Sequence, residues 1–529
     1  MMTKAKYIVC AAIALSTMSA CGDFLEDYSQ DTAYVRSYED LDELLLGNGY
    51  MPTGEPTHIA EPEGMFVNQA IWYYPYIHLM GDEVDYNING SGEGGVLSNN
   101  EPGNHFFGYY TWQQQVGINA DGTEIRKEDD DWNRIYKHIN ICNMVLADID
   151  NQEARTDDDR MERQRVKGEA FFLRGAYYFT LANLYGKPYV QQTAATDLAV
   201  PIKLTEFIED ELFERNTVEE VYQQAINDLQ QADELLGGTT RKSYYRANQT
   251  AARLLLSRLY LYKQDWDKAA SYAQQVINAG DNRLQDLKAM ADDQFFLNPK
   301  LPEIIFSMGT GGLRRSFAAD AQTFGITSDF YSLYNNDNDL RKTYFVKWNA
   351  DYNYPEYVKG GLRTDMARSA LSANFLLRTA EAYLNLAEAA AYSGDEQKAR
   401  QALTTLRSAR FSADADVTET GSSLISLIRD ERARELCLEG HRWFDLRRYA
   451  VCSVQPYTKT IRHNYTQMNY QLSYVTWSYE WVPIQSRFYE LKTDDAAMTL
   501  PIPKEVIDFH IGMPNNARSM RSPVEVVNY

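Results

Sequence analysis

Apolar residues recur at helix period in paired segments of this chain, and that recurrence constrains its fold more than any other feature. At an offset of 130 positions, Leu256 matches Leu386, Tyr262 matches Tyr392, Lys268 matches Lys398 and Ala269 matches Ala399. Each copy reads as a helix with Leu before a small residue (Ser257, Ala387), a turn, and a second helix opening at Lys-Ala. A single helix pair buries only part of its apolar surface, so several pairs must stack.

The rest of the chain supplies more such helices. Trp132, Ile135, Tyr136, Ile139, Asn143, Leu146 and Ile149 mark one helix face. Val166, Ala170, Leu173, Tyr177, Leu181 and Leu184 mark a second, which Gly186-Lys187-Pro188 stops. Thr217 and Glu220 have capping-box spacing and open a helix through Ala232. Further helices are expected over 249–262, 266–279, 374–392, 395–410 and 422–439. The repeated pair resembles the ~34-residue tetratricopeptide unit, in which small residues let two antiparallel helices approach closely. The expected fold class is mainly α, a tetratricopeptide-like helix-pair scaffold carrying long aromatic-rich loops.

The aromatic loops point to binding. Of 529 residues, 38 are Tyr, and ten aromatics fall in 72–112, ten in 324–357 and nine in 457–489. These stretches have little helix periodicity and are broken by Gly, Pro, Asn and Asp. Flat, amphipathic rings on loops over a rigid scaffold suit a binding surface. The 44% hydrophobic and 24% charged composition is globular. A net charge of −22 repels a phosphate backbone, so nucleic acid is excluded as a partner class.

The N-terminus sets the compartment. Lys4 and Lys6 precede an apolar run from Tyr7 to Leu15, too short to span a bilayer and suited to a signal peptide over 1–20. Met18-Ser19-Ala20-Cys21 resembles a bacterial lipobox, in which Cys21 is lipidated and becomes the first residue. That leaves Cys142, Cys437 and Cys452, with no C-x-x-C spacing, so neither a disulfide framework nor a cysteine zinc site is expected.

The acidic motifs have structural readings. Glu128 to Asp131 and Asp157 to Asp159 precede helices, where negative charge complements the helix dipole. Asp85-x-Asn87-x-Asn89-Gly90 matches the first half of a calcium loop, but Val96 stands at the twelfth position, so a Gly/Asn turn is the simpler reading. Glu431, Glu435 and Glu439 share one helix face and could in principle serve acid–base chemistry or a metal. The interleaved arginines favour an ion-pair network that includes Glu435 and Arg442. No Gly-x-Ser-x-Gly, Walker loop or His-Glu-x-x-His is present, and no metal or cofactor is expected.

Seven motifs taken in order resemble the SusD/RagB family. They are Cys21-Gly-Asp-Phe-Leu-Glu; Trp132 to Leu146; Gly168-Glu-Ala-Phe-Phe-Leu-Arg174; Pro302-Glu-Ile-Ile-Phe306; Arg378-x-x-Glu381-x-Tyr-Leu; Glu431 to Arg448; and Leu500-Pro-Ile-Pro503. The family's usual Gln-Asn ending is here Asn515-Asn516. The resemblance implies a lipid-anchored outer-membrane protein of Bacteroidetes-type bacteria. It implies capture of an oligosaccharide or related nutrient without cleavage, as the lid of a TonB-dependent transporter. The signal peptide is then followed by an N-terminal region, 21–240, and a C-terminal region, 241–529, in one body.

The family's ligand sites correspond to 82–112 and 324–357. The ligand-binding candidates are Tyr86, Asn89, Tyr109, Tyr110 and Trp112 from the first, and Trp348, Tyr352 and Tyr354 from the second. Trp348 leads, because Lys347 and Asn349 flank it as rim hydrogen-bonding groups. The alternative platform is 457–489. One rival function is a surface glycoside hydrolase using two of Glu61, Glu83, Asp85 and Asp351. Another is a tetratricopeptide adaptor for a protein partner, which the loop aromatics do not suit.

Overall fold

Capping chemistry sets where the helices begin. Thr156 and Thr217 each form a reciprocal capping box, with Asp159 and Glu220, at the starts of α3 (Asp157–Tyr185) and α4 (Val218–Leu235). The three aspartates Asp157 to Asp159 occupy the first turn of α3. The Asp129 carboxylate accepts from the Asp131 N–H at the start of α2 (Asp130–Asp148). α1 (Tyr38–Leu44) precedes these. A computed structural model describes residues 35–52, 73–86, 106–124, 129–207, 209, 212–291, 293–308, 324–350, 353–360, 371–372, 374–472 and 477–529. Residues 1–20, Cys21, Glu61, Asn89, Asp351 and Tyr352 lie outside the described residues.

The repeat extends to its caps. α5 (Gln249–Tyr262) and α6 (Trp266–Ala279) form one pair, α7 (Thr379–Tyr392) and α8 (Glu396–Ser408) the other. Asp265 caps α6 by accepting from Lys268 N–H, and Asp395 caps α8 by accepting from Lys398 N–H. Small residues do what the pattern required: Ser257 Oγ donates to the Ala269 carbonyl at 2.9 Å, and Ala387 and Ala399 are fully buried. α2 to α8 pack in succession, and α9 (Gly421–Glu435) lies against α7 and α8. On α3, a Cβ at Gly168 would stand 2.9 Å from Leu236 Cγ, so only glycine lets α4 approach this closely. One core cluster runs from Leu41 to Met513, so the stretches either side of 240 share it. This is the mainly α, helix-pair architecture expected.

Three boundaries differ from expectation. The segment expected as one helix over 374–392 opens with a strand, β6 (Leu376–Arg378), paired antiparallel with β2 (Ile304–Ser307). The helix expected over 422–439 stops at Glu435, and Leu438 (φ +53°) and Gly440 (φ +79°) turn the chain so that Glu439 reaches Arg378. The 457–489 stretch is not a loop. β7 (Ile461–Leu472) and β8 (Tyr479–Leu491) form a long antiparallel hairpin, with β9 (Glu525–Asn528) beside β8. Its inward alternation, His463 and Tyr465, is short and polar enough to escape a pattern search.

These departures serve one buried charge network. Glu435 takes Arg378 at 2.6 Å, Arg410 at 2.9 Å and Arg341 at 3.1 Å. Glu303 takes Arg378 and Arg410, at 3.0 and 2.6 Å, and Glu439 takes Arg378 at 2.8 Å together with Lys359. Arg341 also holds Asp339 and Glu431. Arg442, expected in the same network, instead pairs with Asp82 at 2.6 Å, and α10 (Arg442–Ala450) carries it there. Among the described residues no His, Cys, Asp or Glu cluster is arranged to hold a metal. Cys142, Cys437 and Cys452 are buried free thiols.

Two buried arginines fasten the C-terminal segment. Arg215 and Arg447 donate to the carbonyls of Tyr185, Asn183 and Gly186, where α3 leaves its last C=O groups unpaired. Arg215 also reaches Pro514 O and Asn516 Oδ1, while Asn516 Nδ2 bonds Tyr185 O and Leu500 O at 2.7 Å. Asn515 takes the amide N–H of Ile502.

Removing one partner of a buried ion pair strands the other charge. Glu435→Ala should therefore lower unfolding free energy by about 3–5 kcal/mol in urea titrations at pH 7. Burial opposes ionisation of Glu435, but Arg410, Arg378 and Arg341 outweigh it and hold the carboxyl well below its usual range. Its contribution is present above the unfolded carboxyl pKa and lost as pH falls through the folded one. The variant should thus show a shallower acid-induced loss of stability than the wild type. Equal acid slopes would contradict the network.

Candidate ligand surface

The 324–357 region folds around a short hairpin. β4 (Val346–Asn349) pairs antiparallel with β5 (Tyr354–Tyr357), so that Trp348 faces Pro355 and Asn349 faces Tyr354. Asn353 enters β5 at φ +56°, a conformation that Asn tolerates better than most residues. Val346 is buried, yet Trp348, on the same side of the strand, is 40% exposed because the hairpin leaves the body there. The indole lies 5.6 Å from the half-buried ring of Tyr331, with the two planes at 40°. Lys347 is exposed beside it, and Asn349 Nδ2 donates to Glu356 at 3.2 Å.

The surface rests on fixed supports. Tyr331 ends a helical turn, Ser328–Tyr331, that Thr327 caps by accepting from Phe330 N–H. Thr327 is tied to Glu83 O at 3.0 Å through its N–H and to Asp82 O through its hydroxyl. Tyr334, behind Tyr331, donates to Arg434 O. Beneath β4, the Lys359 ammonium lies 4.2 Å from the centroid of the Phe345 ring, and Val358 N–H donates to Phe345 O. Lys359 belongs to the buried network, so the hairpin and the network share a residue. A rigid ring beside polar groups can stack on the C–H face of a sugar while its neighbours bond the rim.

The 82–112 candidates are elsewhere. Tyr86, Tyr109, Tyr110 and Trp112 are all buried, so they cannot present a ring to a ligand and belong to the core. Tyr109 stacks on Tyr76 at 4.0 Å, and Trp112 Nε1 donates to Met80 O. The Tyr110 hydroxyl bonds Asp85 and Asn464 O. Aromatic density marks both kinds of ring alike, and only burial separates them. Tyr354 is half-buried on β5, in register with Asn349. Tyr331 carries no sequence signal beyond its place in the same aromatic stretch. In the alternative region, Trp477 and Tyr479 are 76% and 62% exposed at the hairpin end.

Of the four carboxylates named for a hydrolase, the two among the described residues are engaged. Asp85 accepts from Asn464 N–H at 2.9 Å and Nδ2 at 2.8 Å. Glu83 is buried and accepts from Leu438 N–H, and burial pushes its carboxyl up to about 8 despite that bond and Arg442. Burial also favours the neutral form of Asp129, which, with the nearby Asp131 charge, lies at about 7 while Tyr185 and Tyr76 donate to it.

The helix-pair scaffold that presents this exposed aromatic hairpin is an architecture found in comparisons with known proteins. A family model described as starch-binding associating with outer membrane matches residues 85–261, and the SusD family model matches 316–517. The chain belongs to the SusD/RagB family. It is 32% identical over 148 residues to SusD-like protein P2 of Formosa agariphila, covering 28% of this chain. It is 23% identical over 211 residues to SusD-like protein P25 of the same organism, covering 40% of this chain. These matches span 26% and 37% of the relatives' own lengths. A SusD superfamily structure from Bacteroides thetaiotaomicron superposes with a TM-score of 0.66 at 22% identity, covering 91% of this chain and 100% of that one. A SusD-like carbohydrate binding protein from Bacteroides vulgatus gives 0.59 at 21%, covering 93% and 94%.

Core and surface rings should respond differently to truncation. Trp112→Ala should cost about 3–5 kcal/mol in chemical unfolding, and Trp348→Ala less than about 1 kcal/mol. Glu83 adds a pH signature. Its raised folded pKa makes stability fall as pH rises from about 4.5 to about 8. Glu83→Gln should flatten that decline in a thermal-unfolding series, and an unchanged slope would contradict a protonated Glu83.

Proposed function

We propose that this protein is a non-catalytic surface lipoprotein that captures an oligosaccharide or related nutrient and delivers it to a TonB-dependent outer-membrane transporter. The observation that carries the reading is the exposed Trp348 indole, set beside Tyr331 on a hairpin whose base shares Lys359 with the buried network. An indole loses little rotamer entropy on binding, while Lys347 and Asn349, its neighbours in sequence, alternate to the other face of β4. Tyr354, in register with Asn349, lies on that other face of the hairpin, and Asn89 and Tyr352 remain candidates beyond the described residues. Glu83 and Asp85 are committed to internal bonds, which favours capture over hydrolysis.

Family membership supports the delivery reading. The reading has residues 1–20 removed, Cys21 acylated, and 21–240 with 241–529 facing the exterior as one body. Among the described residues no helix is long and apolar enough to cross a membrane, which is compatible with attachment through lipid.

A glycan array identifies the ligand, and calorimetry then tests the surface. Trp348→Ala should weaken binding at least tenfold, ~1.4 kcal/mol, with folding intact. Unchanged affinity would move the platform to Trp477 and Tyr479. New reducing ends on incubation with the bound glycan would establish the hydrolase instead. Cys21→Ala should release the protein from washed membranes, and retention would overturn the anchor.

A further inference from the structure

His463 on β7 occupies an unusual position. Its ring is buried between two aromatic faces, Tyr110 at 4.4 Å and Trp112 at 4.3 Å, stacked at 10° and 23°. Its Nδ1 lies 2.8 Å from the Tyr110 carbonyl oxygen, and its Nε2 lies 2.7 Å from that of Gly81. Both carbonyls can only accept. A neutral imidazole has one N–H and one lone pair, so it satisfies one of these carbonyls and turns a lone pair on the other. An imidazolium donates to both.

The charged groups around the ring fit that state. Asp82, on the turn before β1 (Val84–Tyr86), is neutralised by Arg442 from α10 and by Lys459 from the approach to β7. Asp85 on β1 is bonded by Tyr110, Tyr86 N–H and Asn464, and among the described residues no lysine or arginine pairs with it. From the C-terminal segment, Arg521 lies 6.0 Å from the Trp112 ring centroid, and the cross-strand neighbour on β8 is Tyr489. Burial is the largest influence on the ring and pulls it below its ordinary 6.5, against Asp85, Asp82 and the two carbonyls; the hydrogen-bond geometry argues the other way. The donor requirement decides the contest, because both nitrogens already face acceptors and two electron-rich rings cover a cation.

We propose that His463 is held as the doubly protonated imidazolium and acts as a pH-sensitive latch joining the Gly81 turn, the 107–112 turn and the β7–β8 hairpin. One proton binds all three. Its loss at higher pH leaves a carbonyl unpaired and Asp85 without a counter-charge. The latch also reaches the ligand surface, because β1 pairs with β3 (Phe324–Ile326), and β3 packs against β5.

The test is ring-nitrogen NMR on the full chain labelled at histidine, across pH 5.5–9. The His463 signals are assigned by their loss in His463→Gln or, should that variant not fold, by ring-proton contacts to Trp112. Two N–H nitrogens at pH 7 and a titration midpoint above 6.5 are expected. A single N–H at pH 7, or a midpoint at or below 6.5, overturns the proposal. A raised folded pKa gives stability that is complete below 6.5 and lost as pH rises through the folded midpoint. His463→Gln, where folded, should remove that component of the thermal-unfolding profile, and an unaltered profile counts against the latch.

Discussion

The carboxylate of Glu435 lies at full burial among three guanidinium groups, and most of the C-terminal half is positioned by what those groups are attached to. Arg378 ends β6, Arg410 follows α8, and Arg341 precedes β4, so one side chain fixes three otherwise separate stretches. Such a cluster contributes little net stability compared with an apolar core of the same volume. Its effect is on uniqueness, because any other register of these segments would bury charges without partners. The strand at 376–378 and the early end of α9 follow from that demand, since each brings Arg378 and Glu439 within reach.

The network extends outward in two directions. Through Lys359, which bonds Glu439 and the Glu435 carbonyl and covers the Phe345 ring, it supports the hairpin that carries Trp348. Through Arg434, which pairs with Glu431 and accepts Tyr334 at its carbonyl, it supports the turn that carries Tyr331. The exposed indole and its neighbouring phenol thus stand on separate supports that converge on one helix. Preorganisation of this kind reduces the ordering cost that a loop-borne ring would otherwise bear on binding.

Periodicity and the Thr217–Glu220 capping box made the helix pairs legible, because both signals are local, whereas the matching caps Asp265 and Asp395 are seen in the structure alone. Glu431 and Glu435 were legible as a charged helix face, but Glu439 leaves that helix, and the partners at 341, 359, 378 and 410 come from segments that spacing cannot connect. Trp348 and Trp112 show the limit most clearly. Both lie in aromatic-rich, irregular stretches, yet Trp112 is closed over by His463 and Trp348 is left at the end of a hairpin. What separates them is long-range packing of β7 against the 107–112 turn, and no window of sequence contains it.

The central claim is that a rigid, non-catalytic scaffold holds its ligand at the Trp348 hairpin. Hydrogen–deuterium exchange of the protein with and without its tightest array-identified glycan tests this most directly. Protection should concentrate in 328–331 and 346–357, while the slow exchange of α7 and α9 stays unchanged and the glycan is recovered intact. Protection confined to 477–484, or a glycan returned in fragments, would contradict the account.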